Sequence, residues 1–104
     1  MIEKDKNFLK KLIETAPIIT SIFVYGDMND LTTRPIVAAT ADRGDDYTSD
    51  MMYKCNELFV TEYNRYENGI DDIHFSIYFK DHWIPEYFSD PRYVKVYENG
   101  EWFV

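Results

Sequence analysis

Apolar residues near the start of the chain recur every three or four positions, the spacing of one face of an α-helix. The pattern runs from Ile2 to Ala16, with lysines and Glu3 on the opposite face. The apolar face consists of Phe8, Leu9, Leu12, Ile13 and Ala16. Because the residue before a proline is pushed away from helical geometry, Pro17 predicts that this helix ends near Thr15.

Two β-strands are predicted next, because the residues that follow are mostly β-branched or aromatic. The first spans residues 18–25, and turn-forming residues 26–30 come after it. The second begins at Pro35 or Ile36 and ends at Ala41. A proline is tolerated at the first position of a strand, where its missing N–H is not needed for pairing.

A polar, acidic loop over residues 42–47 leads into a second predicted helix. Thr48 or Ser49 is a suitable N-cap, and the helix is predicted to continue to about Asn68. Gly69 follows where a left-handed residue commonly ends a helix. The predicted buried stripe consists of Met51, Met52, Cys55, Leu58, Phe59, Tyr63 and Tyr66.

Apolar and polar residues alternate from position 73 to position 80, which predicts a strand with one packed face and one face that is wet or covered by something polar. A long loop over residues 81–92 follows. Two further strands are predicted over 93–97 and 101–104, joined by the hairpin turn Asn99-Gly100.

The predicted order of elements is therefore α-β-β-α-β-β-β. Strands joined by hairpins predict an antiparallel sheet of four to five strands, with both helices packed on its apolar face. The fold class is α+β, and 104 residues fit a single domain over 1–104.

Composition places the chain among folded proteins, since 45% of its residues are hydrophobic and 17% are aromatic. A single cysteine, Cys55, allows no internal disulfide and argues against a cysteine-based zinc site. The first residues lack the apolar core of a signal peptide, and no apolar run reaches the ~18 residues of a membrane span. The expected location is the cytoplasm.

The formal net charge of −8 is unevenly distributed. Residues 1–16 carry four lysines against three acids, whereas the rest of the chain carries 16 acids against 7 bases. Such a body repels nucleic acid and anionic membranes, and it attracts a basic partner. The alternative is that the charge only keeps a small protein soluble.

No motif in the sequence indicates a reaction. The four glycines form neither a dinucleotide-binding nor a P-loop pattern, and no serine-hydrolase elbow is present. His74 and His82 lie about 27 Å apart along an extended strand, too far to share one site. Cys55 falls in an apolar stripe and is expected to be a buried, inert thiol. We therefore expect no catalytic residue, no metal site, no cofactor and no enzymatic activity.

Aromatic residues are the unusual feature, with nine tyrosines, seven phenylalanines and two tryptophans. Tyrosine and tryptophan dominate the energetic centres of protein interfaces. The alternation over 73–80 places Tyr78 on the polar face, and the loop 81–92 carries Trp83 and Tyr87 where polar residues are expected. The alternative is that this loop folds back over the sheet and half-buries its aromatic residues.

These features support the hypothesis of an acidic protein-binding module, an inhibitor or decoy that occupies a basic site on a nuclease or other nucleic-acid-binding protein. Nuclease immunity proteins and the anti-restriction and anti-CRISPR proteins of phages and mobile elements are analogous in charge and size, although no motif links this chain to them. The predicted partner-binding residues are Asp42, Asp45, Asp46, Tyr47, Asp50, Tyr78, Trp83, Tyr87 and Asp90.

Two other hypotheses stay open. The first is a small-ligand-binding domain or minor enzyme with a pocket under the 81–92 loop. Its polar groups would be His74, Tyr78, His82 and Arg92. The second is a homodimer formed through an edge strand. Neither direct binding to nucleic acid nor binding to a membrane is expected.

Overall fold

The structure, a computed structural model, describes residues 1–63 and 73–104, and it confirms the α+β class and the predicted order of elements. The two helices are α1 (Glu3–Thr15) and α2 (Ser49–Tyr63). The strands are β1 (Ile19–Tyr25), β2 (Ile36–Ala41), β3 (His74–Phe79), β4 (Tyr93–Glu98) and β5 (Glu101–Trp102). Short 3-10 turns lie at residues 31–33, 44–46 and 86–89.

The five strands form one sheet in the order β3-β2-β1-β4-β5. Strand β1 is central and runs antiparallel to both β2 and β4, and β5 is antiparallel to β4. Strands β2 and β3, in contrast, run parallel, so the sheet is mixed rather than antiparallel throughout. The reason is the connection between them: it contains α2, and parallel neighbours require a long crossover of this kind instead of a hairpin.

One hydrophobic core lies between the helices and one face of the sheet. Helix α1 contributes Phe8, Leu9 and Leu12, which are buried as its periodicity predicts. Alternate residues of the strands meet them, because successive side chains of a strand point to opposite faces. The sheet contributes Ile22, Val24, Val37, Ala39 and Val96, with Phe75 and Ile77 packed at the margin.

Helix α2 buries a narrower stripe than its sequence predicts. The Thr48 side chain accepts a hydrogen bond from the Met51 N–H at 3.2 Å, which confirms an N-cap at this point. The buried residues of the helix are Cys55 and Phe59. Met52 was expected in the stripe but is 48% exposed, since the first turn of the helix does not contribute to the core. Tyr66, Asn68 and Gly69 lie outside the described residues.

The second face of the sheet is covered by the loop 81–92, hereafter the covering loop. The Phe88 ring stacks on Phe23 at 4.8 Å between centroids and meets the edge of Tyr78 at 5.4 Å. Ser21 and Thr40 on this face are consequently buried. The interpretation in which the loop folds back over the sheet is thus correct for Phe88.

Candidate functional site

The parallel pairing of β2 and β3 brings two loops to the same edge of the sheet, because the carboxyl ends of parallel strands coincide. The Lys80 N–H donates to the Ala41 carbonyl at 2.9 Å, and the Asp81 N–H donates to the Asp42 carbonyl at 3.1 Å. The Gly44 N–H also donates to the Asp81 carboxylate at 3.1 Å. We call residues 42–50 together with 81–83 the acidic edge.

Gly44 allows these two loops to approach closely. A Cβ atom at this position would lie 2.5 Å from the His82 ring, well inside van der Waals contact. Together with the backbone hydrogen bonds, this close approach gives the acidic edge a defined shape. A sequence pattern predicts the loop 42–47, but not that it lies against the residues after β3.

The carboxylates of the acidic edge differ in how far they are neutralised. Asp42 pairs with Lys80 at 3.4 Å and Asp50 with Lys54 at 3.0 Å, and both pairs are solvent-exposed, so each is weak. Asp45 and Asp46 are exposed and form no ion pair with any residue in 1–63 or 73–104. Counted with Lys54 and Lys80, the acidic edge holds five aspartates against three basic side chains, the third being Arg43. It therefore keeps a net negative charge.

Tyr47 anchors the acidic loop instead of projecting from it. It is half-buried beside the Cys55 thiol, and its ring lies 5.8 Å from Phe79. Burial raises the pKa of Tyr47 to about 12 and that of the Cys55 thiol to about 11. Cys55 is fully buried, as predicted, so the thiol is protonated and sequestered at neutral pH.

Trp83 is the large side chain that the acidic edge presents to solvent. It is 66% exposed, and its ring meets the edge of Tyr78 at 6.3 Å. Tyr78 itself is half-buried between Trp83 and Phe88. Helix α2 begins at this edge, and its first turns expose Met52 and Tyr53. Neither residue was predicted to belong to a binding surface.

Two of the predicted partner-binding residues, Tyr87 and Asp90, lie farther along the covering loop than the acidic edge. Asp90 accepts hydrogen bonds from the Arg92 Nε at 3.1 Å and Nη2 at 2.7 Å, and this guanidinium lowers the pKa of the Asp90 carboxyl. Its charge is therefore paired locally. Tyr87 belongs to the 3-10 turn 86–89, and its side chain lies outside the described part of the structure. The geometry thus brings together the acidic loop and Trp83, with Tyr78 beneath them.

Among the described residues, grooves open on the face of the sheet opposite the helices. One has a volume of about 240 Å³ and lies under the covering loop, between Ile84 and Phe88 above and the hydroxyls of Ser21 and Thr40 below. The polar set proposed for such a pocket does not converge there, because His74 and His82 flank opposite ends of β3. Arg92 lines a different groove.

The second groove has a volume of about 540 Å³ and lies at the amino ends of β2 and β4, the end of the strands opposite the acidic edge. Its walls include Tyr25, Arg34, Arg92 and Tyr93. The sequence offered no signal for it, since these residues come from three separate segments and carry no motif.

Comparison with known proteins finds no matching protein-family model, curated protein or solved structure. Within residues 1–63 and 73–104, no cluster of three or more His, Cys, Asp or Glu side chains is arranged to hold a metal ion. No helix in the same residues has the length and apolar character needed to cross a membrane. Function must therefore be argued from the acidic edge and the grooves.

Proposed function

We propose that this protein is an acidic protein-binding module that acts as an inhibitor or decoy. Its partner in this proposal is a basic protein, a nuclease or other nucleic-acid-binding protein, engaged through the acidic edge. The observation that carries the proposal is the juxtaposition of Asp45 and Asp46 with the exposed Trp83. The contact between Gly44 and Asp81 holds the two loops together.

Each part of this surface has a distinct physical role in binding. Carboxylates that are not already paired attract a basic partner from a distance and accelerate association, most strongly at low salt. An exposed tryptophan that becomes buried supplies affinity that salt does not screen, which slows dissociation. Because the acidic loop is fastened at both Tyr47 and Gly44, little conformational entropy is lost when the surface is covered.

The proposal is tested by capturing partners from a lysate of the native cells with tagged protein, washed at low and at high salt. We expect one basic nucleic-acid-handling protein, retained at low salt and partly lost at high salt. The charge-reversal pair Asp45→Lys with Asp46→Lys should lose this partner. Glu14→Lys with Glu57→Lys is the matched control, because it changes the net charge equally on exposed helix surfaces.

Trp83→Ala gives an independent readout with the purified partner. It should raise the dissociation rate by about tenfold or more and leave the salt dependence of association unchanged. Equal binding by the Asp45/Asp46 pair and its control, or a captured partner without a basic surface, would overturn the proposal.

The small-ligand hypothesis placed the pocket under the covering loop, and the size of the groove there argues against it. The groove under the covering loop, at about 240 Å³, is smaller than the ~300–1,000 Å³ of typical ligand sites. The 540 Å³ groove at the other end of the strands falls within that range.

A further inference from the structure

The 540 Å³ groove combines two arginines with two tyrosines, which is unusual in a chain whose net charge is −8. Tyr25 ends β1 and Tyr93 begins β4, and their rings lie 5.2 Å apart because the two residues pair across the antiparallel strands. The two phenol rings therefore lie side by side in the lining of the groove, tilted by 42° to each other. Arg34 and Arg92 line the same groove from the 31–34 turn and from the end of the covering loop.

Arg34 has a backbone conformation that arginine rarely adopts. Its φ is 51° and its ψ is 63°, in the left-handed region where glycine or asparagine is normally found. The turn before it is well defined: the Asp30 carboxylate accepts the Thr32 N–H at 3.1 Å, and the Arg34 N–H donates to the Leu31 carbonyl at 3.0 Å. Nothing in this turn requires an arginine, since glycine satisfies it with less strain.

The Arg34 guanidinium also has no ion-pair partner among the described residues. It is exposed, and no carboxylate within residues 1–63 or 73–104 forms an ion pair with it. The Asp30 Oδ1 atom accepts hydrogen bonds from the N–H and the hydroxyl of Thr32, and no ion pair joins Asp30 to Arg34. A strained position that presents a charge with no ion-pair partner among residues 1–63 and 73–104 points to a ligand instead of a structural role.

Arg92 lines the same groove, and hydrogen bonds fix its orientation. Asp90 accepts hydrogen bonds from its Nε and Nη2 atoms, and the guanidinium carbon lies 5.8 Å from the centre of the Tyr25 ring. The Nη1 atom makes no hydrogen bond with any residue that the structure describes. Among the described residues that line the groove, the charges are those of Arg34, Arg92 and Asp90, so the lining is net positive.

We propose that this groove binds a phosphate monoester carried beside a planar ring, the chemistry of a nucleoside monophosphate or of phosphotyrosine. Guanidinium groups bind phosphate through paired N–H donors, and the three phosphate oxygens can accept from both arginines. Tyr25 and Tyr93 line the same groove as the two arginines, so a ring joined to the phosphate would lie beside aromatic side chains. This site is separate from the acidic edge and does not depend on the proposed function.

The test is a titration of isotope-labelled protein followed by backbone amide NMR. The probes are adenosine monophosphate and free phosphotyrosine, which distinguish the two sources of the same chemistry. Adenosine supplies a ring without phosphate, and ribose 5-phosphate supplies a phosphate without the base. We expect saturable shifts at Tyr25, Arg34 and Tyr93, with one of the two full probes binding about tenfold or more tighter than either fragment.

Arg34→Gly is the decisive variant because glycine suits a positive φ, so the guanidinium is lost without harm to the fold. It should weaken binding by about tenfold or more. Asn99→Gly, which changes the other non-glycine residue with a positive φ among those described, and Arg43→Ala, which removes an exposed arginine at the acidic edge, should both bind like the unmodified protein.

Arg34→Lys keeps the charge but lacks the paired donors, so its affinity should lie between those of Arg34→Gly and the unmodified protein. The proposal is wrong if neither full probe gives saturable shifts. It is equally wrong if Arg34→Gly binds as well as the unmodified protein, or if Arg43→Ala weakens binding as much as Arg34→Gly.

Discussion

Asp5 fastens three segments of the fold through a buried carboxylate. It lies on α1 and is only 6% exposed. The Tyr63 hydroxyl of α2 donates to it at 2.6 Å, and the Asn29 amide from the loop between β1 and β2 donates at 2.9 Å. Burial, followed by the hydrogen bond to Asp5, raises the pKa of Tyr63, which therefore stays a protonated donor at neutral pH. A buried carboxylate is tolerated only with such partners.

The substitution Tyr63→Phe removes the hydroxyl donor and keeps the ring. The edge contact between Tyr63 and Phe8, at 4.8 Å between centroids, is preserved in the variant. The loss of stability consequently reports the hydrogen bond to Asp5 Oδ1, an atom that keeps only the Asn29 amide, at 3.2 Å, as a partner. A hydrogen bond to a charged group contributes about 1.5–3 kcal/mol, so we expect the free energy of unfolding to fall by about 2 kcal/mol.

Urea denaturation followed by circular dichroism measures this change. With a slope of about 1–3 kcal/mol per molar urea, the midpoint should move down by about 1 M. Tyr53→Phe is the matched control, because Tyr53 is an exposed tyrosine on the same helix and its loss should change stability by less than about 0.5 kcal/mol. A double-mutant cycle with Asp5→Ala, which removes the acceptor, isolates the pairwise coupling. If Tyr63→Phe is no more destabilising than Tyr53→Phe, the reasoning is refuted.

Three further predictions concern the acidic edge and its anchor. The folded-state pKa values of Tyr47 (about 12) and Cys55 (about 11) lie above their ordinary values, so the unfolded chain releases these protons first. The stability that these two protonated groups contribute should be present below about pH 9 and lost as the pH rises through 12. Urea midpoints should therefore fall over this window, and they should fall less in Tyr47→Phe than in the unmodified protein. Cys55 should react with a thiol reagent only at the rate of unfolding; fast labelling of the native protein would contradict its burial. Gly44→Ala should cost about 1 kcal/mol or less because the exposed His82 ring can rotate away, and a His82→Ala background should remove that cost, as measured by the same urea assay.

Local periodicity predicted the elements well because it records which face of a helix or strand is buried. The α1 pattern is explained by packing against the core, which confirms that prediction. In β3, Phe75 and Ile77 pack against the same core as the alternation predicts, but the other face is not wet throughout, because Tyr78 is half-buried under the covering loop. Pairing partners are not encoded in the same way. The strands β2 and β3 are separated in sequence by a helix, and that strand–helix–strand order was the signal for a parallel pair that the antiparallel prediction passed over.

The sequence was a sufficient guide to the candidate site only for residues whose proposed role depends on being exposed. Asp45, Asp46 and Trp83 are exposed, and residue type alone was enough to single them out. Tyr47 and Asp90 were singled out on the same grounds. Tyr47, however, lies beside the buried Cys55 thiol, and Asp90 pairs with the Arg92 guanidinium. Arg34 was missed because residue type reveals neither of the two features that single it out. These are its positive φ and the absence of an ion-paired carboxylate among the described residues.

The acidic edge and the 540 Å³ groove lie at opposite ends of the same strands, so direct coupling between them can be estimated from the distance. Strand β2 has six residues and so extends about 20 Å, while charges in solution are screened over about 8 Å at physiological salt. Direct electrostatic coupling between the two sites should therefore be small. The pair Asp45→Lys with Asp46→Lys should change binding of the phosphate probe by less than about twofold at physiological salt. A larger effect would mean that β2 transmits a structural change from one end to the other, since screened charge alone cannot produce it.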